Sequence, residues 1–227
     1  MTDTSFSGAT ETLRPSWQPS DFSRTKLGFL LARSLRDEGM LSLWSESGLA
    51  LTQAAQGARI AVVGNARSLS EKTLGAQIDN HDIVLRLNTA PMPDPRSHGR
   101  RTDWLASSIP VPQGRIDALA PSRVLWMTRK RKRLPFALAQ RSGFYLNPQG
   151  PVHALAAQIG APPSTGAMVL DLVRRLPVTQ VSVFGFDFFA SLSHSGRRTA
   201  ARVPHDFAAE RDHAMTLFQQ DARFKLY

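Results

Sequence analysis

The chain has 227 residues and a mass of 25.0 kDa, with 42% hydrophobic and 20% charged residues, a size that suits one α/β domain with an extension. This composition excludes collagen-like, low-complexity and wholly disordered proteins, and the absence of cysteine excludes a disulfide framework, a thiolate metal site and a cysteine nucleophile. The net charge of +10 is uneven, because residues 1–57 carry net −1 and residues 58–227 carry net +11. The second segment therefore favours an anionic ligand or surface.

The first 57 residues are predicted to be a flexible arm followed by a packing helix. Residues 1–24 are rich in Ser, Thr and Pro, which is typical of an arm without regular structure. Residues 26–43 place leucines near helical spacing and predict one amphipathic helix. The start lacks the basic and apolar regions of a signal peptide, and no uninterrupted apolar run reaches about 18 residues, so the sequence predicts no membrane span.

From residue 58 onward the pattern is that of an α/β domain. Residues 58–63 form a short apolar run closed by Gly64, a polar helical stretch follows at 68–78, and a second strand is predicted at 82–88. Because strand, helix and strand alternate, we predict a single doubly wound, mostly parallel, Rossmann-like sheet over residues 58–227. Further strands are predicted at 102–107, 123–127 and 181–186, and further helices at 135–142, 150–159, 166–175 and 206–220.

Polar and small residues follow three of these strands. Ligands of doubly wound sheets bind outside the carboxyl ends of the strands, which places Gly64, Asn65, Asn88 and the segment 185–187, Gly-Phe-Asp, on one candidate binding edge. Backbone amides at the Gly64 turn, together with the start of the following helix, could hold an anion, although a plain tight turn is the commoner role of Gly-Asn. The glycine spacings of dinucleotide-binding folds and of P-loops do not occur in the sequence.

A second turn, at Ser164, Thr165 and Gly166, precedes the helix predicted at 166–175. Its simplest interpretation is a good helix N-cap. The alternative is a site for a carboxylate or phosphate, because the turn offers two hydroxyls, exposed amides and a glycine that permits close approach.

Histidines and carboxylates are concentrated near the end of the chain. His194, His205, Asp206, Glu210 and His213 lie between residues 194 and 213, and His205 with Glu210 forms an H-x-x-x-x-E spacing at a predicted helix start. An imidazole near a carboxylate can act as a general base around neutral pH, or the group could bind a metal ion. The H-E-x-x-H pattern is absent, which makes the metal site the weaker hypothesis, and a solvated helix end is the third possibility.

Five consecutive cations form the strongest charge run of the chain: Arg129, Lys130, Arg131, Lys132 and Arg133. Such runs are most often solvated loops, but they can also bind nucleic acid, acidic lipid head groups or acidic glycans. Aromatic residues for base stacking are not interleaved with these cations, so no nucleic-acid partner is expected.

Taken together, these segments resemble the sialyltransferases of glycosyltransferase family 29. The large sialylmotif of that family is similar to residues 61–69, which read AVVGNARSL, and then to 74–91 and 99–102. The small sialylmotif is similar to 163–166 through 181–186, and the very small motif to 205–210. His194 stands for the histidine of the third motif, whose neighbouring tyrosines are missing here. Four motifs in the family's order cover the chain from about residue 58 to its end.

The resemblance implies a variant GT-A fold and an inverting transfer of an acidic sugar from a CMP donor, without a metal or other cofactor. It implies that His205 is the general base, that Glu210 orients the helix start or the imidazole, and that His194 stabilises the departing phosphate. Asn65, Ser68 and Asn88 would contact the nucleotide and phosphate. Ser164, Thr165 and Gly166 would meet the sugar carboxylate or the cytidine, and Gly185 would also belong to the donor-binding site. No Asp-x-Asp pair occurs in the sequence, which agrees with metal independence.

Departures from the family's animal members set further expectations. Their disulfide between the large and small motifs corresponds to Ile60 and Val178, where an apolar contact would replace it. The missing signal anchor and cysteines suggest a bacterial relative located in the cytoplasm, either free or peripheral on the inner membrane surface through residues 129–133.

The expected partners are therefore a CMP-activated acidic sugar and a glycan or glycolipid acceptor. CMP-sialic acid and CMP-Kdo share the leaving group and the carboxylate, so both remain candidate donors. Two other functions remain open from the residues alone. One is a non-catalytic module that binds nucleotides or polyanions, and the other is a metal-dependent phosphohydrolase built on His194, His205, Asp206 and His213.

Overall fold

The computed structural model describes residues 22–188 and 205–227. Seven strands form one sheet in the order β5-β4-β3-β2-β1-β6-β7, and every neighbouring pair is parallel. The strands are β1 (Arg59–Val63), β2 (Ile83–Leu87), β3 (Trp104–Ser107), β4 (Arg123–Trp126), β5 (Phe144–Leu146), β6 (Gln180–Phe184) and β7 (Phe224–Leu226). The helices are α1 (Lys26–Leu35), α2 (Glu38–Ser42), α3 (Gly48–Ala55), α4 (Gly75–Asp79), α5 (Pro95–His98), α6 (Gln113–Leu119), α7 (Phe136–Ala139), α8 (Gln149–Ile159), α9 (Thr165–Arg174) and α10 (Phe207–Gln220).

Alternating residues of the central strand bury both faces of the sheet. Ile60 and Val62 pack with the apolar residues of α8, α9 and α10 on one face, while Ala61 and Val63 pack on the other face. The N-terminal helices α1 and α2 cover that second face over β3, β4 and β5, where Phe29 packs with residues of these strands in a separate apolar cluster. Helices on both faces of a parallel sheet confirm the predicted doubly wound α/β fold.

The strand order reverses at β1, which has β2 on one side and β6 on the other. Neighbouring crossovers at such a point run to opposite faces of the sheet and leave a crevice at the carboxyl ends of the two strands. We call this opening the β1–β6 crevice; Gly64 and Gly185 follow the two strands that form it. The predicted binding edge therefore coincides with the topological switch point.

Two predicted helices are broken in the structure. The helix expected at 26–43 is split, because Arg36 adopts a left-handed conformation with φ of 59° and Asp37 then caps a new helix through the amide of Met40. The helical stretch expected at 68–78 consists of a 3-10 turn over Arg67–Glu71, followed by the short α4.

Several short elements were not predicted from the sequence. β5 and β7 have three residues each. α3 and α6 have no acidic residue in the first turn and no basic residue in the last turn, so they lack the charges that mark helix ends in a sequence. Leu51 of α3 packs in the same core as β1, so helical residues before position 57 contribute to the sheet's interior. The domain boundary at residue 57 stays a prediction.

The residues expected to replace the disulfide, Ile60 and Val178, are both buried in one apolar cluster.

Among the described helices, none is both long and apolar enough to cross a bilayer.

Candidate functional site

A cleft of about 1190 Å³ runs along the carboxyl ends of the strands. Its floor is built from the segments that follow β1, β2, β3 and β4, in spatial order Asn65, Asn88, Ser108 and Thr128. Its opposite wall comes from α8, from the turn before α9 and from α10 as far as Leu217. The cleft therefore begins at the β1–β6 crevice and ends beside β4.

Close backbone packing shapes the crevice end of the cleft. A Cβ atom on Gly64 would overlap the carbonyl oxygen of Gly185 and the ring of Phe186, and a Cβ on Gly166 would press on the same ring at 2.9 Å. Gly185 has φ of +63°, a conformation that favours glycine. The predicted site glycines thus allow the β1 and β6 turns and the start of α9 to meet around one aromatic ring.

The amides of the Gly64 turn are mostly used within the fold. Gly64 N donates to Phe184 O at 2.8 Å, and Ala66 N donates to Gly185 O at 3.2 Å. The turn opens a five-residue 3-10 segment instead of the α-helix predicted from the sequence. Two of the amides expected to hold an anion, those of Gly64 and Ala66, are therefore used within the fold.

Two asparagine side chains face the cleft with fixed orientations. Asn65 Nδ2 donates to Leu87 O at 3.1 Å, which directs its Oδ1 away from β2. Asn88, with φ of +54°, accepts on Oδ1 from Ser108 N at 3.1 Å and from Ser107 Oγ at 3.3 Å. These bonds leave Asn88 Nδ2 without a bond to any described residue, so it can donate to a ligand in the cleft.

The turn before α9 is fixed by a buried carboxylate. Glu210, 4% exposed, accepts from Ser164 N through Oε1 and from Ser164 Oγ through Oε2, each at 2.6 Å. Ser164 Oγ also accepts from Ala167 N at 3.2 Å, as a helix N-cap does. Burial raises the pKa of Glu210 above its ordinary value, although the two bonds from Ser164 and the nearby His205 oppose this shift.

The same turn fixes the tautomer of His205. Its Nδ1 lies 2.7 Å from Pro162 O, and since a carbonyl oxygen can only accept, Nδ1 must carry the proton. In the neutral ring Nε2 then holds the free electron pair. His205 is half-buried on the cleft wall, and its ring lies 5.8 Å from that of Phe207.

The structure brings most of the predicted site residues together. Around this one cleft lie Asn65, Asn88, Ser164, Thr165, Gly166, Gly185, His205 and Glu210. Ser68 does not line the cleft; it lines an adjoining cavity of about 380 Å³, where its Oγ lies 3.5 Å from Asp187 Oδ2. His194 lies outside the described residues.

The histidines weighed as metal ligands do not form a cluster in the described part of the chain. Within residues 22–188 and 205–227, no three histidine, aspartate or glutamate side chains are grouped so that they could hold a metal ion. His213 lines the cleft on α10, and Asp206 instead caps α10 by accepting from Ala209 N at 3.0 Å.

The basic run differs from the solvated loop expected of it. Arg131 is buried with 1% exposure, and its guanidinium bonds both carboxylate oxygens of Glu38 at 2.8 Å and the carbonyls of Thr128 and Asn147. Burial raises the pKa of Glu38, but hydrogen bonds from Arg131 and Gln149 outweigh it and leave the pKa lowered. One cation of the five is thus a structural anchor that ties the segment to α2.

The other four cations of the run are exposed and line the β4 end of the cleft. We call them the cationic rim: Arg129, Lys130, Lys132 and Arg133. Whether the rim contacts a membrane stays a prediction.

Sequence reasoning missed two contributors to the site, Pro162 and Glu38, and it placed Phe186 on the binding edge without its packing role. Pro162 acts through its backbone carbonyl and Phe186 through packing, and neither role has a sequence pattern of its own. Glu38 lies 93 residues from its partner Arg131. A lone cation buried within a run of cations cannot be recognised before the fold is known.

Comparisons with known proteins agree with this geometry. The model of glycosyltransferase family 29 (sialyltransferase) matches residues 21–113. A curated pig protein, CMP-N-acetylneuraminate-beta-galactosamide-alpha-2,3-sialyltransferase 1, is 61% identical over 33 residues. This match covers 14% of the chain and spans only a tenth of that relative's length.

Solved sialyltransferases share the fold. A mammalian sialyltransferase aligns with a TM-score of 0.64 at 19% identity, covering 91% of this chain and 82% of the other. A mammalian sialyltransferase in complex with Gal-beta-1-3GalNAc-ortho-nitrophenol aligns with a TM-score of 0.61 at 17% identity, covering 88% and 84%. CstII from Campylobacter jejuni, in complex with the substrate analogue CMP-3FNeuAc, aligns with a TM-score of 0.51 at 11% identity, covering 75% and 81%.

The resemblance predicted from the motifs is therefore confirmed: the chain is similar to the sialyltransferases of glycosyltransferase family 29 in the sequence of residues 21–113 and in the fold of its described domain.

Proposed function

We propose that the chain is an inverting glycosyltransferase that moves sialic acid, or a related acidic keto-sugar, from a CMP donor to a glycan hydroxyl. The observation that carries this proposal is the fixed tautomer of His205, which leaves the electron pair on Nε2 of a residue that lines the cleft at the carboxyl ends of the strands. The complex of CstII with CMP-3FNeuAc supports a CMP-sugar as the donor class for this fold.

His205 is the general base of the proposed reaction. Its Nε2 takes the proton of the acceptor hydroxyl while that oxygen attacks the anomeric carbon and the CMP phosphate leaves from the opposite face. The proton on Nδ1 stays bonded to Pro162 O, so the positive charge that develops on the ring is partly compensated there. Attack opposite to the leaving group inverts the configuration at the anomeric carbon.

Glu210 acts as a positioning residue. Its carboxyl group holds both the amide and the hydroxyl of Ser164, two residues after the carbonyl that bonds His205. The base is thereby coupled to a turn that is fixed by a buried side chain of α10, the helix that begins two residues after His205. Geometry held in this way reduces the reorganisation needed in the transition state.

Donor recognition needs only a few polar groups, because a CMP leaving group has one phosphate. Asn65 and Asn88 supply the amide groups beside the crevice, and Thr165 and Gly166 open α9 toward the same space for the sugar carboxylate or the cytidine. Ser68 contacts the donor only if the ligand reaches behind the Gly64 turn. His194 would stabilise the departing phosphate, as the family resemblance implies.

The reaction is proposed to need no metal ion. The absence of Asp-x-Asp from the sequence supports this, and the charge of a single phosphate can be met by amides and an imidazole. Incubating the purified protein with CMP-sialic acid and with CMP-Kdo, with and without a chelator, and measuring free CMP and glycan product tests the proposal. We expect CMP release from one donor that is unchanged by the chelator.

The same assay separates the other functions. A non-catalytic nucleotide- or polyanion-binding module would consume neither CMP-sugar, and a metal-dependent phosphohydrolase would lose its activity when the chelator is added. Release of CMP from CMP-Kdo alone would keep the reaction type and change the donor.

A further inference from the structure

The cationic rim is not explained by donor binding. β4 lies three strand spacings from β1, about 14 Å away across the sheet. Side chains of the rim therefore line a different part of the cleft from Gly64 and Asn65, which border the expected phosphate position. A second anionic group in the same cleft would account for both regions.

The rim is held in place by its own buried member. Arg131 is fixed by Glu38 and by two backbone carbonyls, so its neighbours on both sides emerge from an anchored segment. The side chains of Arg129, Lys130, Lys132 and Arg133 make no ion pair with any described residue. Four exposed cations in five positions without carboxylate partners create a locally positive surface.

The acidic residues of the cleft do not neutralise this surface. Glu210 is bonded to Ser164, and Asp171 pairs with Arg174 at 2.9 Å and with Arg175 at 3.0 Å. Asp187 lies beside Ser68, at the crevice end of the cleft. Arg36, at the break between α1 and α2, adds a further cation to the cleft lining.

A polar path connects the rim to the crevice. Along the strand ends it runs from Asn65 through Asn88 to Ser108 and Thr128, and Ser108 Oγ is buried without a hydrogen-bond partner among the described residues. An extended polar ligand could follow this path with one end beside His205. The cleft is concave, which suits a chain-like ligand better than a flat bilayer.

We propose that the cationic rim is an anion subsite for the acceptor, and that the glycan receiving the sugar carries carboxylate, phosphate or sulfate groups that lie against Arg129, Lys130, Lys132 and Arg133. The assignment of the subsite to the acceptor rests on the proposed function. The anion binding itself does not, and it can be measured without any transfer reaction. Donor and acceptor would then be recognised by separate groups at opposite ends of one cleft.

Binding of a sulfated tetrasaccharide and of its desulfated form, measured by calorimetry at low salt, tests the subsite. The test variant is Lys132→Gln/Arg133→Gln, and the matched control is Arg211→Gln/Lys225→Gln, which removes two exposed cations that do not line the cleft. We expect the wild type to prefer the sulfated form, the rim variant to bind it about tenfold more weakly, and the control to bind as the wild type does. If the double variant does not fold, the single variants Lys132→Gln and Arg133→Gln replace it in the same binding measurement.

The inference is overturned if the sulfated and desulfated sugars bind alike, or if the rim variant and the control lose affinity equally. It is also overturned if the wild type binds vesicles of anionic phospholipid but neither sugar, and the rim variant loses the vesicle binding. The partner of the rim is then a membrane. CMP release from the donor is measured in parallel on the wild type and on the Arg211→Gln/Lys225→Gln control, and we expect the two to agree within about twofold. Binding that follows the expected pattern without any CMP release would retain the subsite and refute the proposed transferase activity.

Discussion

The two ends of the cleft are built on different physical principles. At the β1–β6 crevice, Glu210 and Phe186 fix the position of each turn through burial and short hydrogen bonds. At the β4 end, four exposed cations flank one buried arginine. Their electrostatic attraction for an anion acts over about 10 Å and does not require an exact ligand orientation. The difference indicates that the crevice is suited to chemistry and the rim to capture of a charged substrate.

The largest expected effect is the loss of turnover when the base is removed. His205→Ala should lower turnover by about 100-fold or more while CMP still binds, because the free Nε2 is lost and the donor groups remain. His213→Ala is the matched control, since that imidazole lines the same cleft without the bond to Pro162. Initial rates of CMP release and product formation measure the effect, and equal rates for both variants would remove His205 from the role of base.

The next effect tests whether the crevice depends on close packing. Gly64→Ala should lower the free energy of unfolding by about 3 kcal/mol, because the added Cβ overlaps Gly185 O and the Phe186 ring. Gly114→Ala, where a Cβ meets nothing within 4 Å, should leave stability unchanged or raise it by about 0.5 kcal/mol. Urea denaturation measures both, and a Gly64 variant as stable as the Gly114 variant would contradict the close packing.

A third test concerns the anchor beneath the rim. Glu38→Ala should cost about 2 kcal/mol of unfolding free energy, since it leaves the buried guanidinium of Arg131 without its counter-ion, although the partly exposed position of Glu38 moderates the loss. Asp117→Ala removes a more exposed ion pair with Arg141 and should cost about 0.5 kcal/mol or less. Chemical denaturation of the two variants compares these costs, and equal values would deny that Arg131 is an anchor.

The smallest expected effect is a pH dependence that belongs to the crevice. The pKa of Glu210 is raised above its ordinary 4.5, so the folded state holds this proton more tightly than the unfolded state does. The stability it contributes is present below pH 4.5 and is lost as the pH rises through the raised pKa. Relative to Glu210→Gln, the wild type should therefore lose unfolding free energy across that window, and a relative gain would contradict the assigned direction.

Much of the fold could be predicted because its signals are local. The apolar runs of β1 and β2 and the glycines that close them indicate buried parallel strands, and the alternation with helices indicates the layers. The short β5 and β7 were missed because three residues carry no periodicity. The break at Arg36 was missed because its left-handed conformation has no glycine to signal it.

The candidate site could be predicted in its residues but not in its bonds. The positions of His205, Glu210 and Ser164 follow from motifs. The hydrogen bonds that connect them do not, because His205 bonds Pro162 across 43 residues and Glu210 bonds Ser164 across 46 residues. Of the two interpretations of the Gly64 turn, an anion site and a plain tight turn, the structure favours the tight turn for the amides of Gly64 and Ala66, because both bond within the fold. Charge alone also could not separate Arg131 from its exposed neighbours.

The central claim is that the nucleotide binds at the β1–β6 crevice and not at the cationic rim. Titrating CMP into isotopically labelled protein, while recording backbone amide resonances, tests it directly. We predict shifts at Asn65, Asn88 and the Ser164 turn, with little change at Lys132 and Arg133. Shifts confined to the rim, or no shifts at all, would contradict the claim.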